Sequence, residues 1–270
     1  MHSALASAFR SLHRRDGVFC LPNAWDAASA CLAAKAGAPA VATSSAALCW
    51  SLGYADGGSV PKSELIAAVQ RMTRVLNVPL SVDLEDGYSR NPEEVADLVQ
   101  EIHRGGAVGI NLEDGEGSSE LLAAKIQAIR SRQSLAEVFI NARTDVYLRD
   151  LARGVEAVEM VRSRARQYSQ AGADGLFVPG LAHADECARV VASTELPVNL
   201  MVVPGLPSTE LLGSLGVRRL TSGPWLFLAT HATLLRGTAA LLHGDVGGLT
   251  SGPLSFGEMN TLFATTTANS

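Results

Sequence analysis

The sequence predicts a single α/β domain, a (β/α)8 TIM barrel with an additional C-terminal helix. Short apolar runs typical of buried strands alternate with helix-like segments eight times within about 225 of the 270 residues. Strands and helices that alternate in this way form a parallel sheet with right-handed crossovers, and eight such units close into a barrel. A doubly wound open sheet is the alternative, but no G-x-G-x-x-G motif follows the first predicted strand.

Each predicted strand is short, apolar and closed by turn-forming or polar residues. Pro22 and Asn23 close the first strand, and Pro179 and Gly180 close the sixth. The strands are predicted at residues 18–21, 40–43, 78–82, 108–112, 138–142, 175–178, 198–201 and 218–221.

The predicted helices begin at capping residues or proline and end at glycine. Gly37 ends one helix, and Asn91 with Pro92 begins another. Residues 44–59, which are rich in small and polar side chains, are predicted to form a long loop. The helices are predicted at residues 1–15, 24–36, 61–76, 91–104, 119–132, 155–170, 185–192, 208–215 and from Pro224 to about Leu242.

The composition and charge limit the function classes. With 47% hydrophobic and 18% charged residues the chain can bury a large core, and a net charge of −5 argues against a nucleic-acid partner. The sequence predicts no apolar run that approaches the roughly 20 residues needed to cross a bilayer, and residues 1–15 lack the apolar core of a secretory peptide. The four cysteines have no paired spacing. We therefore expect a cytoplasmic protein without a membrane partner.

The end of the chain is predicted to be an extension of the barrel. No linker rich in proline, glycine or serine precedes residue 244, so residues 1–270 are assigned to one domain. Residues 244–270 form a C-terminal extension, in which a glycine-rich stretch leads to a helix at residues 256–264. An appended apolar helix often packs on a neighbouring subunit, so we expect a homo-oligomer.

An acidic turn follows the third predicted strand. Asp83 and Glu85 are two residues apart, so on an extended backbone they point the same way. Carboxylates this close repel each other unless a proton or a cation lies between them. Hard oxygen ligands suit Mg²⁺ or Mn²⁺ better than zinc. The turn therefore predicts a divalent-cation site, the alternative being a solvated acidic turn.

Further polar residues lie where other strands end. The carboxyl ends of barrel strands share one rim, where the active sites of such barrels lie. A carboxylate there, Glu113, extends the predicted metal site of Asp83 and Glu85. The rim also holds Thr43, Ser44, Ser45, Asp56, Arg143, Asp145 and Asn199.

The residue types on the rim predict the binding of a small carboxylate. Arg143 presents a planar donor fork suited to a carboxylate, although it could instead pair with Asp145 alone. Residues 43–45 can hold a second carboxylate through their hydroxyl and backbone N–H groups. A divalent ion on the acids would bind a 2-oxo or 2-hydroxy oxygen and stabilise an enolate.

Four motifs resemble the isocitrate lyase/phosphoenolpyruvate mutase superfamily, and the likeness runs from about residue 5 to 242. They are L-P-N-A-W-D-A at 21–27, D-L-E-D-G-Y at 83–88, G-I-N-L-E-D at 109–114 and N-A-R-T-D at 141–145. The resemblance implies a Mg²⁺-dependent barrel that makes or breaks C–C or P–C bonds through an enolate. It also implies a dimer of dimers whose last helix is exchanged between subunits.

The resemblance also implies roles for individual residues. Asp83 would contact the metal most directly, with Glu85 and Glu113 nearby, and Asp56 stands where the family keeps a loop acid. The substrate would be held by Thr43, Ser44, Ser45 and Arg143, and Asn199 is a further candidate for substrate binding.

Several groups used by relatives are missing from this chain. The lyases resemble one another in a Lys-x-Cys-Gly-His loop after the fourth strand, whereas residues 116–120 contain neither Cys nor His. Gly180 stands where the lyases keep a glutamate and phosphoenolpyruvate mutase a histidine. Lys125 is expected to be solvated on its helix. Tyr88 could act as an acid if its pKa were lowered, its alternative role being packing.

We therefore predict a lyase or decarboxylase acting on a small 2-oxo or 2-hydroxy carboxylic acid, with Arg143, Asp56 and Tyr88 as catalytic candidates. One alternative is a phosphonate enzyme, such as a phosphonopyruvate hydrolase or a carboxyphosphonoenolpyruvate mutase. The other is a carboxylate-binding homologue that has lost the chemistry.

Overall fold

The computed structural model describes residues 2–115, 117–250, 252 and 254–264, and it confirms the predicted barrel. All strand pairs are parallel, in the order β1-β9-β8-β7-β6-β5-β4-β3-β2. The strands are β1 Phe19–Leu21, β2 Asn23–Ala24, β3 Val41–Thr43, β4 Leu80–Asp83, β5 Gly109–Glu113, β6 Phe139–Arg143, β7 Gly175–Phe177, β8 Val198–Met201 and β9 Arg219–Thr221.

The first predicted strand is divided at Pro22, and this division closes the barrel. The segment before Pro22, β1, pairs with β9, and the segment after it, β2, pairs with β3. Proline has no N–H to donate to a strand ladder, so it interrupts the pairing on one side. Its carbonyl still accepts a hydrogen bond from the N–H of Ala42 at 3.0 Å. Nine strand segments therefore make the eight positions of the predicted barrel.

Helices surround the barrel, and most of the core lies between them and the strands. α3 was not predicted, because it lies inside the segment assigned to a loop. The Ser44 side chain caps it by accepting a hydrogen bond from the N–H of Ala47. The helices are α1 His2–Leu12, α2 Ala27–Lys35, α3 Ser45–Ser51, α4 Lys62–Val75, α5 Pro92–Arg104, α6 Ser119–Arg130, α7 Gly154–Ala171, α8 Ala184–Ala192, α9 Thr209–Ser214, α10 Trp225–Leu242 and α11 Phe256–Ala264, with 3₁₀ turns at Gln133–Leu135 and Gly247–Leu249.

α1 covers the end of the barrel opposite the acidic rim. Phe9 is fully buried and packs edge-on against Phe139, where β6 begins. His13 stacks on the same Phe139 ring, with the ring centroids 4.0 Å apart, and its Nδ1 lies 2.9 Å from the Phe9 carbonyl oxygen. A side chain at Gly109 would collide with Phe9, because a Cβ there would lie 2.7 Å from the Phe9 ring. Aromatic packing therefore closes this end of the barrel.

The C-terminal helices are largely exposed. α10 buries only Phe227 among its described residues, and Leu242 is 80% exposed. By length and apolar composition alone, this helix is long enough to cross a membrane. This apolar run was not identified from the sequence. α11 lies beside α2, where the Cys31 Sγ is 3.9 Å from the Leu262 carbonyl oxygen. Residues 251, 253 and 265–270 of the extension lie outside the described residues, and the one-domain assignment and the helix exchange stay predictions.

We predict that His13 makes the fold sensitive to acid. Burial, with help from Arg219, lowers the pKa of His13 to about 3. Below pH 6.5 the unfolded chain therefore binds a proton at His13 that the folded chain does not bind. The free energy of unfolding consequently decreases as the pH is lowered. From pH 7 to pH 5 this residue alone should lower the free energy of unfolding by about 2 kcal/mol.

Urea unfolding of the wild type and of His13→Phe, at both pH values, tests this. The variant retains an aromatic ring but cannot titrate, so its loss of stability should be smaller by that amount. His243→Phe, which changes an exposed histidine, is the control. Equal losses in the wild type and His13→Phe would contradict the prediction.

Candidate active site

Asp83 ends β4 and lies buried at the rim of the barrel. Its backbone N–H donates to Thr43 Oγ1 at 2.8 Å, so the neighbouring strand fixes its position. Its carboxylate Oδ2 accepts from the N–H of Ser45 at 3.4 Å, at the start of α3. Its other oxygen, Oδ1, is buried without a hydrogen-bond partner. A buried, unpartnered carboxylate oxygen is costly unless a cation or a proton compensates for it.

The turn after Asp83 has an unusual backbone. Glu85 and Tyr88 have φ angles of 50° and 60°, in the left-handed region that side chains other than glycine rarely adopt. The Glu85 carbonyl accepts from the N–H of Glu113 at 2.9 Å, and the Tyr88 hydroxyl donates to Glu85 Oε1 at 2.6 Å. Gly87 packs so closely that a Cβ would lie 2.8 Å from Val95. The fold therefore holds this acidic turn in a strained conformation, as functional sites often do.

Lys125 supports the turn from below and is not solvated, so that expectation was wrong. It is 2% exposed, and its Nζ donates to the Asp86 carbonyl oxygen at 2.5 Å. Its position was readable from the helix period, because Leu122, Ile126 and Ile129 place residue 125 on the buried face of α6. Burial lowers the pKa of Lys125, while Asp86 opposes this shift.

Arg143 ends β6, and its guanidinium contacts two carboxylates. Its Nε and Nη2 donate to the two oxygens of Asp145 at 2.7 and 3.0 Å, and its Nη1 lies 2.6 Å from Glu113 Oε2. Asp145 is thus a partner of Arg143, as the alternative interpretation supposed, but it is not the only one. This geometry fixes the plane of the guanidinium at the rim.

A second layer behind Arg143 was missed by sequence reasoning. The backbone N–H of Asp145 donates to Asp114 Oδ1 at 3.0 Å. Asp114 Oδ2 in turn accepts from Arg164 at 2.6 Å and from the Tyr168 hydroxyl at 2.5 Å. Arg164 and Tyr168 lie on α7, some 50 residues along the chain, and only helical spacing relates them to each other. These contacts position Asp145 and, through it, Arg143.

The acidic residues suit a divalent cation. Burial raises the pKa of Asp83 and Glu85, and it raises the pKa of Glu113 to about 8 although Arg143 opposes this. Negative charges that burial disfavours are stabilised when a cation binds. Oxygen donors of this kind match the preference of Mg²⁺ or Mn²⁺.

The potential ligand atoms that the structure brings together differ in part from the predicted metal set, which stays a prediction. Among the described residues, one ligand atom each of Cys49, Asp56 and Glu85 lies within 4.8 Å of the other two. Asp56 therefore joins Glu85, while Glu113 is paired with Arg143. Burial raises the pKa of the Cys49 thiol to about 12, so at neutral pH it adds no charge to the site. Cys49 was not predicted at the site, because it lies on the unpredicted α3.

A cavity of about 180 Å³ opens at the rim beside these acids. A larger apolar groove of about 970 Å³ lies between α2 and α10, far poorer in charged groups. Of the predicted site residues, Asn199 is buried inside the barrel, where its side-chain amide has no hydrogen-bond partner. Five predicted site residues line the cavity: Ser44, Ser45, Asp56, Asp83 and Arg143. The others do not belong to the lining: Thr43, Glu85, Tyr88 and Glu113.

Tyr88 does not have the lowered pKa that an acid role would need. Burial raises its pKa, and the hydrogen bond to Glu85 raises it further. The contact instead holds the Glu85 carboxylate in place within the turn.

The fold and the site define a closed parallel (β/α)8 barrel whose strand ends gather buried carboxylates around one arginine, and comparison with known proteins identifies its family. The phosphoenolpyruvate phosphomutase family matches residues 9–242. The chain therefore belongs to the phosphoenolpyruvate mutase/isocitrate lyase superfamily.

Individual relatives differ in what is known of them. An uncharacterised Mycobacterium tuberculosis protein is 39% identical over 83% of this chain and 87% of its own length. An oxaloacetate decarboxylase of Bradyrhizobium sp. strain BTAi1 is 32% identical over 70% of this chain and 66% of its own length. A phosphonopyruvate hydrolase, solved with oxalate and Mg²⁺, shares the fold with a TM-score of 0.84 and 21% identity, covering 97% of this chain and 96% of its own.

We predict that metal binding strengthens with pH because of Glu113. Its pKa of about 8 means that a proton must leave before the carboxylate can contribute its full charge. From pH 6.5 to pH 8.5 the affinity for Mn²⁺ should rise by up to about 25-fold. In Glu113→Gln, which cannot titrate there, most of this rise should be lost.

Calorimetric titration with MnCl₂ at both pH values measures the effect. Glu120→Gln, which removes an exposed glutamate on α6, is the matched control and should keep the wild-type rise. An unchanged pH dependence in Glu113→Gln would refute the assignment.

Proposed function

We propose that this protein is a Mg²⁺- or Mn²⁺-dependent lyase or decarboxylase that cleaves a C–C bond in a small 2-oxo or 2-hydroxy carboxylic acid. The observation that carries the proposal is that two groups line the same small cavity. They are Asp83, which has a buried oxygen without a partner, and Arg143, whose guanidinium is fixed in place. The similarity to an oxaloacetate decarboxylase supports a C–C lyase. The solved hydrolase with oxalate and Mg²⁺ supports the metal and the carboxylate ligand.

The chain's own residues divide the work. Asp83, Glu85 and Asp56 would hold the cation, with Glu113 close by. When bound, the cation supplies a Lewis acid for the 2-oxo or 2-hydroxy oxygen, which lets an enolate develop as the C–C bond breaks. Arg143 has five N–H donors. Two of them hydrogen-bond Asp145 and the Nη1 group is ion-paired with Glu113, so donors remain for a substrate carboxylate.

Residues at the start of α3 complete the binding of the acid. Ser44 and Ser45 line the cavity, and the Ser45 N–H already points to the carboxylate of Asp83. Backbone N–H groups at a helix N-terminus favour negative charge. The second carboxylate oxygen of the substrate would bind to these groups.

A phosphonate enzyme is the alternative that the family and the solved hydrolase suggest. A phosphonate carries up to two negative charges in addition to the carboxylate, and its recognition calls for several cationic or N–H donors. Among the described residues that line the cavity, Arg143 is the only cation. The lining therefore favours C–C cleavage over P–C cleavage.

We predict that Asp83 is essential for metal-dependent turnover. Asp83→Asn removes the charge that would hold the cation, so activity should fall at least about a hundredfold. The assay panel is oxaloacetate, alkylmalates, methylisocitrate and 4-hydroxy-2-oxopentanoate, with product release followed in Mg²⁺ and in EDTA. Asp97→Asn, an exposed aspartate on α5, is the control.

Two other outcomes decide between the alternatives. Inorganic phosphate released from phosphonopyruvate, or a rearranged product in its ³¹P NMR spectrum, would favour a phosphonate enzyme. Tight oxalate binding without turnover of any compound would favour a carboxylate-binding protein and sink the lyase proposal.

We also propose that α10 forms a subunit interface in a homo-oligomer, a dimer of dimers. Its exposed leucines form a large apolar surface, and soluble proteins rarely leave such a surface uncovered. A subunit interface accounts for this surface without a membrane partner. Exchange of residues 244–270 between subunits and a cytoplasmic location are parts of the same proposal.

We predict a mass of four times 28.3 kDa by size-exclusion chromatography with light scattering. Leu235→Glu, at a position 73% exposed on α10, should lower the mass, because a buried unpaired charge opposes association. Leu211→Glu on α9 is the control. A monomeric wild type would contradict the proposed assembly.

A further inference from the structure

A second cavity lies at the end of the barrel opposite the acidic rim. Its volume is about 470 Å³, and it is lined mainly by residues from the end of α1 and from the connections that enter β7, β8 and β9. We call it the lower cavity. Its charged lining residues are Arg10, Arg14, Asp174, Glu195 and Arg218. None of these five residues lines the cavity at the rim, so the lower cavity is separate from the candidate active site.

The Asp174 carboxylate is shared by two arginines. Its Oδ1 accepts from Arg10 Nη1 at 2.6 Å, and its Oδ2 accepts from Arg130 and from the N–H of Ile140, the latter at 2.9 Å. Arg10 Nη2 also donates to the Val138 carbonyl at 3.2 Å. One negative charge is therefore divided between two guanidiniums, and part of their positive charge is left uncompensated.

Arg14 and Arg218 are the available cations of the lower cavity. Within the part of the chain that the structure describes, neither guanidinium forms a hydrogen bond or a salt bridge. Their backbones, in contrast, are fixed. The N–H of Arg14 donates to the Ser11 carbonyl at 3.2 Å, in the turn after α1, and the N–H of Arg218 donates to the Val198 carbonyl at 3.0 Å, just before β9. Two anchored arginines thus keep all their side-chain donors for a ligand.

The connection that enters β8 contributes a hydroxyl group and an apolar surface. Thr194 Oγ1 accepts from the N–H of Leu196 at 3.1 Å, so its O–H is left to donate. Val191, Leu196 and Pro197 line the same cavity. Gly216 lies directly against this surface, because a Cβ there would be 2.8 Å from Val191 Cγ1. In addition to the arginines, the lower cavity therefore offers a hydroxyl donor and an apolar surface for the organic part of a ligand.

The local electrostatic field at this end of the barrel is positive. His13 lines the lower cavity, and its pKa is lowered to about 3 by burial and, to a smaller extent, by the charges of Arg219 and Arg10. His13 is therefore neutral at pH 7 and adds no charge of its own. Among the described lining residues three arginines face two carboxylates, in a chain whose net charge is −5. The lower cavity is thus a positive site on an acidic protein, and it favours a small anion.

We propose that the lower cavity binds a phosphate group through Arg14, Arg218 and the Thr194 hydroxyl. Near pH 7 a phosphomonoester carries a charge of about −1.5 to −2 and has three acceptor oxygens, which guanidinium groups bind bidentately. Two available guanidiniums match this charge, whereas a single carboxylate would leave one of them unpaired. The ligand is inorganic phosphate or a small phosphomonoester, whose organic part would lie on the apolar surface. The site is at the other end of the barrel, so it does not depend on the proposed function.

Calorimetric titration of the full chain with sodium phosphate, at constant ionic strength, tests the site. We expect saturable binding that Arg14→Gln and Arg218→Gln each weaken at least about tenfold, because a charged hydrogen-bonding group is lost. Arg218→Lys, which keeps the charge, should retain part of the affinity. Arg71→Gln, which changes an exposed arginine on α4, is the matched control and should bind as the wild type does. No saturable binding by the wild type, or wild-type affinity in both glutamine variants, would overturn the proposal.

Two further comparisons locate the phosphate and identify its source. Arg143→Gln, at the rim, should leave phosphate binding unchanged, and a loss of binding in that variant alone would place the phosphate at the rim and overturn the proposal. Ribose 5-phosphate and AMP that bind more tightly than inorganic phosphate, and are weakened by Arg14→Gln and Arg218→Gln, would identify a phosphomonoester. Inorganic phosphate that binds at least as tightly would identify the free ion. Succinate, a dianion without a phosphate group, should bind more weakly, and equal affinity for succinate would overturn the assignment to phosphate.

Discussion

The burial of several carboxylates around the guanidinium of Arg143 is the constraint on which the rest of this structure depends. Asp83, Glu85 and Glu113 all have raised pKa values because the fold removes them from water. Arg143 compensates only part of this charge, since it is also held by Asp145. A cation that binds such a cluster stabilises its anionic form, which is a property expected of a cation site and not of a solvated turn.

Much of the surrounding structure holds these charged side chains in position. The layer of Asp114, Arg164 and Tyr168 holds Asp145, and Asp145 holds the plane of Arg143. Below the acidic turn, Lys125 donates to the backbone of Asp86 from a buried position on α6. A buried lysine would be expensive as a packing residue alone. Its position under a strained, acidic turn, where it donates to the backbone, offsets part of this desolvation free energy.

The sequence was sufficient for the barrel and for the rim, but not for the contacts behind the rim. Alternating apolar runs and glycine-terminated helices predicted the strands, and the ends of parallel strands necessarily share one edge. Which acids meet at that edge depends on loop conformation, so neither the closeness of Asp56 to Glu85 nor the pairing of Glu113 with Arg143 followed from spacing.

Other misses have different physical origins. Pro22 divided the first strand as its chemistry requires, but the pairing of each half depends on barrel closure. α3 has seven residues, too few for a helical period to stand out among small side chains. Lys125 could have been assigned to the buried face from its apolar neighbours, but its charge argued more strongly for solvent.

The barrel interior extends the same electrostatic constraint below the site. Arg219 is fully buried on β9, with its guanidinium 5.9 Å from the centre of the Phe9 ring. Burial lowers its pKa to about 9, against the opposing influence of Asp83, so it stays protonated at neutral pH. A buried cation beneath the acids is partly balanced by them, and the acids are partly balanced by it.

This mutual dependence explains why the layer between them is polar. Ser81, Asn141 and Asn199 are buried in the barrel at positions where (β/α)8 barrels usually place branched aliphatic side chains. Amide and hydroxyl dipoles lower the cost of two opposite charges that are separated within a low-dielectric interior, whereas aliphatic side chains would raise it. Asn199, predicted to bind substrate, fits this interior role better, because it is buried beside Arg219 in the register of β8 and β9 and does not line the cavity.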